Sequence, residues 1–106
     1  MEGYANTLTA VQRMLHELTE ERFVGTAYAI NEHGKRVVPT DSSATKWCAI
    51  GYTAKLLGEP DPEWLERALD QLFGYGFSDD VIRLSNTHGF AQTMHAVRLA
   101  MKYCGY

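Results

Sequence analysis

The sequence is poor in residues that would announce a special chemistry. Its 106 residues include only two cysteines, Cys48 and Cys104, and three prolines. Two thiols cannot build a disulfide framework. Set among apolar neighbours in helical patterns, they read as buried free thiols of a reducing compartment, and whether they could pair depends on their Cα separation. No apolar run approaches the roughly 18 residues that span a bilayer. The start, Met1-Glu2-Gly3-Tyr4, has neither the basic nor the apolar region of a signal peptide, so the cytoplasm is the expected address, with no membrane partner. An excess of one charge is also lacking. Ten Lys and Arg against 13 Asp and Glu give a net charge of −3, which argues against a general nucleic-acid binder. No Cys-x-x-Cys or His-x-x-x-His spacing links Cys48, Cys104, His16, His33, His88 and His95, so no metal is expected. Gly74-Tyr75-Gly76 lacks the Gly and Lys of a phosphate loop, and no cofactor is expected.

What is present is an ordinary globular composition, 45% hydrophobic and 22% charged, and the expected organisation is one domain over residues 1–106. Leu8, Val11, Leu15 and Leu18, widened by Met14, follow one helical face and predict a helix over 7–21, capped by Asn6 or Thr7. From Phe23 to Ile30, Val24, Thr26, Tyr28 and Ile30 alternate with Gly25, Ala27 and Ala29. This pattern predicts a strand with one large and one small face. Asn31-Glu32-His33-Gly34 reads as a turn, Lys35–Val38 as the return strand, and Pro39 as its end.

Thr40-Asp41-Ser42-Ser43 reads as a capping cluster for a central helix that reaches Leu57 and stops at Gly58. That helix is apolar on nearly every side, so it should lie in the middle of the domain. Cys48 and Gly51 form a small pair onto which the small face of the strand can dock. Asp61 as cap and Pro62 in the first helical position open the next helix, which buries Leu65, Ala68, Leu69 and Leu72 and ends at Gly74. Asp79–Leu84 reads as one or two further turns capped by Ser78, or equally as a short extended segment through Val81, Ile82 and Leu84, and Ser85–Gly89 reads as a turn. A last helix over about 90–103 carries the stripe Phe90, Met94, Val97, Met101, Cys104. The fold class is therefore α+β: about four helices with one short β-hairpin packed on a central buried helix.

With Gly25, Tyr28-Ala29, Gly34, Trp47-Cys48-Ala49-Ile50-Gly51, Asn86 and Val97 to Ala100 in place, the chain resembles a family of small uncharacterised proteins of bacteriophages and bacteria, especially actinobacteria. The family pattern is a Trp-Cys-x-x-Gly helix followed by a late Asn-x turn. Thr87 stands where Asp is usual after that Asn, and Tyr52 where a small residue is usual. The resemblance implies a phage-type origin and no particular chemistry.

Two functions are weighed. The first is a phage-type accessory protein that binds a host protein or complex and inhibits a host defence or regulatory machine. Its contact residues would be Tyr75 and Phe77 in a Gly-rich loop, with His95, Arg98 and Lys102 on the outer face of the last helix. Tyr at helix ends and in loops suits protein interfaces, while a solvated charged face is the plainer account of the three basic residues. The second is a hydrolase-like enzyme or small-ligand binder in which Cys48 is the thiol, His88 the base and Asn86 the orienting amide. A cysteine in an apolar stripe is more simply an inert core residue. The two separate on whether the Cys48 sulfur is sealed in or opens into a pocket shared with His88. The stripe of the last helix also suits a homodimer.

Overall fold

A computed structural model describes residues 2–106, with side chains from Ala5 onward. Five helices and one two-stranded antiparallel sheet make a single α+β domain. Helix α1 (Glu2–Glu17) leads through a 3₁₀ turn at Glu20–Arg22 to strand β1 (Ala29–Asn31). Strand β2 (Ala44–Trp47) and helix α2 (Ala49–Leu57) follow, then α3 (Pro62–Phe73), α4 (Phe77–Thr87) and α5 (Gly89–Tyr103).

The central helix is where the sequence pattern puts it. Ala49 to Ala54 of α2 are all buried, and α2 packs against α1, α3 and α4. Around it lie Val11, Met14 and Leu18 of α1, Leu65 and Leu69 of α3, Val81 of α4, and Met94, Val97 and Met101 of α5. Burying each of the larger of these side chains contributes roughly 1.5–3 kcal/mol, and this is what holds the short helices together.

The hairpin differs from its sequence reading. The Asn31–Gly34 turn forms, closed by the Gly34 N–H on Asn31 O at 3.0 Å. Lys35–Val38, however, contributes only a bridge between Arg36 and Ile30, and the partner strand of β1 is Ala44–Trp47. Thr40–Ser43 does not cap a helix. The Asp41 carboxylate accepts from Ser43 N–H at 2.8 Å and Ser43 Oγ at 2.7 Å, closing a side-chain turn that sends the chain back as a strand. The pairing is held by Trp47, whose indole N–H donates to Pro39 O at 3.0 Å. Helix α2 therefore begins later than expected, with Cys48 as its N-cap. The Cys48 sulfur accepts the Gly51 N–H at 3.3 Å, in the place a Ser or Asp oxygen usually takes.

Other boundaries move for local reasons. Helix α1 covers 2–17, not 7–21, and the guanidinium of Arg22 bonds the Glu17 carbonyl at 2.7 Å beyond its last turn. The turn expected at Ser85–Gly89 shrinks to His88-Gly89. Ser85 and Thr87 do not cap; their hydroxyls bond back to Val81 O at 2.9 Å and Arg83 O at 2.7 Å and stay inside α4. Gly89, at φ +82, makes the break. At α3 the reading holds: Asp61 accepts from Glu63 N–H at 3.0 Å, with Pro62 at the helix start.

Candidate functional site

Two places on the molecule combine unusual shape with usable side chains. The first is a cavity of about 210 Å³ beneath the hairpin, with Cys48 at its inner end. Its near wall is the irregular segment Gly25–Tyr28, which the structure fixes at both ends. A Cβ on Gly25 would lie 2.1 Å from Ser85 O of α4, so only glycine allows that approach. At the other end, a Cβ on Gly51 would lie 1.8 Å from Tyr28 O. A backbone does come close to the Cys48–Gly51 pair, as the small residues suggest, but it is that of Tyr28, just before β1, and not the small face of the strand. Hydrogen bonds from Val24 N–H to Trp47 O at 3.0 Å and from Cys48 N–H to Tyr28 O at 3.2 Å complete the anchoring. Arg36 and Val37 also line the cavity, together with Ile82, Ser85 and Asn86 of α4.

Cys48 and Asn86 thus share a cavity, as the thiol-enzyme reading requires, but His88 is not part of its lining. His88 is exposed at the α4–α5 break, with its Nδ1 2.7 Å from the Thr87 hydroxyl. Nor is the thiol primed. Cys48 is only 6% exposed, and burial raises its pKa to about 11, against the smaller opposing pull of backbone N–H groups at Gly51 and Ile50. At neutral pH the sulfur is a protonated thiol that caps a helix. Tyr28 is also held neutral: burial, then its hydrogen bond to Glu66, pushes the phenol well above its ordinary range.

The second place is an open groove of about 750 Å³ at the end of the molecule where α3 and α5 terminate. Phe73, Leu99, Lys102, Tyr103 and Cys104 line it. Cys104 is exposed and free, not buried as its place in the α5 stripe suggests, because that stripe leaves the core after Met101. Tyr106 packs nearby on α3, its ring 5.6 Å from Phe73 and its hydroxyl donating to Leu72 O at 3.1 Å.

No family model, curated protein or solved structure matches this chain.

The expected contact residues divide accordingly. Tyr75, at the tip of the α3–α4 turn that follows Phe73, is fully exposed at 103%. Phe77 folds back, with its ring 4.6 Å from Phe73. His95, Arg98 and Lys102 are all exposed along α5, but Arg98 also ties α5 to α1, donating to Leu15 O at 3.1 Å near the end of that helix. Leu99 and Arg36 lie outside the residues singled out from sequence. Leu99 flanks the α5 stripe and is visible only once the stripe is known to face inward. Arg36 reads as a plain strand cation until the fold sets its guanidinium on Thr26 O in the cavity lining. No group of three or more His, Cys, Asp or Glu able to hold a metal occurs among the described residues. No described helix is long and apolar enough to cross a membrane.

Proposed function

We propose that this chain is a small accessory protein of phage type that works by protein–protein contact in the host cytoplasm, blocking a host defence or regulatory complex. The observation that carries the binding reading is the aromatic end of the molecule. Tyr103, 94% exposed, lines an apolar groove that also presents Leu99, and Tyr75, 103% exposed, tips the turn that follows Phe73 of that groove. Large rings held at such an edge cost little side-chain entropy to bury and are the usual anchors of interfaces. Helix α5 beside the groove carries His95, Arg98 and Lys102 and no acidic residue, on a chain whose net charge is −3. The fitting partner is a protein with an acidic rim around apolar anchors. The phage-type origin rests on the Trp47-Cys48 to Gly51 pattern and on Asn86, which lies in the last turn of α4 and not in the turn the resemblance implies.

The test is capture of host proteins on the tagged chain, in parallel with Leu99→Asp, Tyr103→Asp and a control, Glu32→Lys, on the far hairpin turn. The expected result is one discrete partner retained by wild type and control. Its affinity should fall at least about tenfold in either groove variant, as loss of an anchor side chain implies, and should weaken with salt. A partner bound equally by all four proteins would place the interface elsewhere and end this reading.

A further inference from the structure

We propose that the cavity beneath the hairpin is a binding site for a small apolar carboxylic acid, its carboxylate at Arg36 and Asn86 and its hydrocarbon body over Cys48. Three observations converge on this class of ligand. The cavity persists because the Gly25–Tyr28 wall is pinned by backbone contact at Gly25 against Ser85 O and at Gly51 against Tyr28 O, so the wall cannot fall inward to fill the space. Its inner surface is apolar and uncharged: Ala29 and Ile82 line it, and Cys48 there is a protonated thiol whose sulfur already accepts the Gly51 N–H. Ser85 is committed as well, donating to Val81 O at 2.9 Å. That end of the cavity suits hydrocarbon.

The polar capacity is concentrated in two other residues. Arg36, an exposed residue of the cavity lining, donates from Nη2 to Thr26 O at 3.2 Å, which sets its guanidinium at the cavity rim. It has no carboxylate partner among the described residues, and its remaining N–H groups have the fork geometry that carboxylates accept. Asn86, exposed on α4, adds a side-chain amide to the cavity lining, a group able to donate to a carboxylate. One cation and one amide at the exposed rim of an apolar chamber make an arrangement that selects a monoanion with a hydrocarbon body. A cavity of about 150 Å³ holds a benzene ring, so about 210 Å³ has room for the ring of an aromatic acid or a short branched chain.

The probes are benzoate and its neutral isostere benzamide, titrated into the ¹⁵N-labelled full chain and followed by amide chemical shifts. Benzoate should give saturable shifts at Gly25–Ala29, Cys48 and Ile82–Asn86, with a Kd on the order of 1 mM, which about nine non-hydrogen atoms can sustain. Benzamide should bind at least about tenfold more weakly, lacking the charge-assisted pair. Arg36→Gln, which keeps a donor for Thr26 O but removes the charge, should bring benzoate down to the benzamide level. Ala27→Leu, which adds bulk to the wall, should abolish both, and the unliganded spectra of the variants report that they are folded. Benzamide binding as tightly as benzoate, shifts confined to the groove at Tyr103, or no saturable shift at about twenty times the expected Kd would each overturn the proposal. None of these outcomes bears on the aromatic groove, whose reading stands or falls separately.

Discussion

One added carbon at Gly51 would sit 1.8 Å from the carbonyl oxygen of Tyr28, and that oxygen is backbone, not the movable end of a side chain. Gly51→Ala must therefore push the hairpin off α2, and we expect a loss of about 3 kcal/mol or more in urea unfolding, the upper range for overpacking. Gly34 is the internal comparison. It has φ +76 and open space around its Cβ position, so Gly34→Ala should cost only about 1 kcal/mol, the penalty of a left-handed backbone. Equal losses at the two positions would mean that close approach is not what Gly51 provides. Cys48 gives a second test at this scale. Its thiol titrates at about 11 in the fold against an ordinary 9.0. The folded state thus favours the protonated form. The associated stability is complete below about pH 9 and is lost as pH rises through about 11, when unfolding lets the thiol ionise. Raised Tyr28 acts in the same direction, so wild type alone cannot isolate the cysteine. The stability gap between wild type and Cys48→Ala can, and it should narrow by about 2 kcal/mol between about pH 8 and about pH 10.5. A gap independent of pH would show that the thiol does not feel its burial.

At the scale of elements, the sequence is most legible where one residue has one available role. Asp61 followed by Pro62 can only open a helix, and α3 starts there with the Asp61 carboxylate on Glu63 N–H at 3.0 Å. Asp61→Ala should cost about 1 kcal/mol and Asp61→Asn much less, since Asn keeps the accepting oxygen; urea midpoints that fall equally in the two would deny the cap. Legibility fails where a polar residue has two local uses. Asp41 and Ser43 can cap a helix or close a turn upon each other, and Ser85 and Thr87 can stop a helix or bond back within it. The choice is made at a distance. Trp47 finds Pro39 O, Val24 N–H finds Trp47 O, and the segment before α2 becomes a strand. Tyr52, large where the family resemblance leads one to expect a small residue, is settled in the same way. It is buried edge-on to Trp47 with ring centroids 5.5 Å apart, its hydroxyl 3.3 Å from a Glu17 carboxylate oxygen. The candidate cavity was out of reach of periodicity for the same reason. Its walls come from residues 25–29, 36–37, 48, 82, 85 and 86, and no local pattern tells that Gly25 meets Ser85. Tyr75 and Lys102 were legible because exposure at a turn or on a polar helix face is a local property.

For the molecule as a whole, the decisive matter is where the two faces of α5 point. The stripe that suits a dimer, Met94, Val97 and Met101, is buried in the core of the single chain and is not free to meet a second copy. What remains outside is Leu99 and Tyr103 with the basic row His95, Arg98 and Lys102. A twofold contact through this face would bring each cation close to its own copy, and like charges facing each other oppose association. The same repulsion that disfavours a second copy is attraction towards an acidic protein, so the oligomeric state is itself a test of the partner's chemistry. Size-exclusion chromatography with light scattering should therefore give a monomer mass at about 100 μM protein, a concentration at which dimers with Kd values in the low micromolar range would persist. Raising the salt should, if anything, allow weak self-association by screening α5. A dimer that is tight at low salt and loosens as salt rises would mean that self-contact is held by opposite charges. It would set the acidic-partner reading aside in favour of a second copy of this chain.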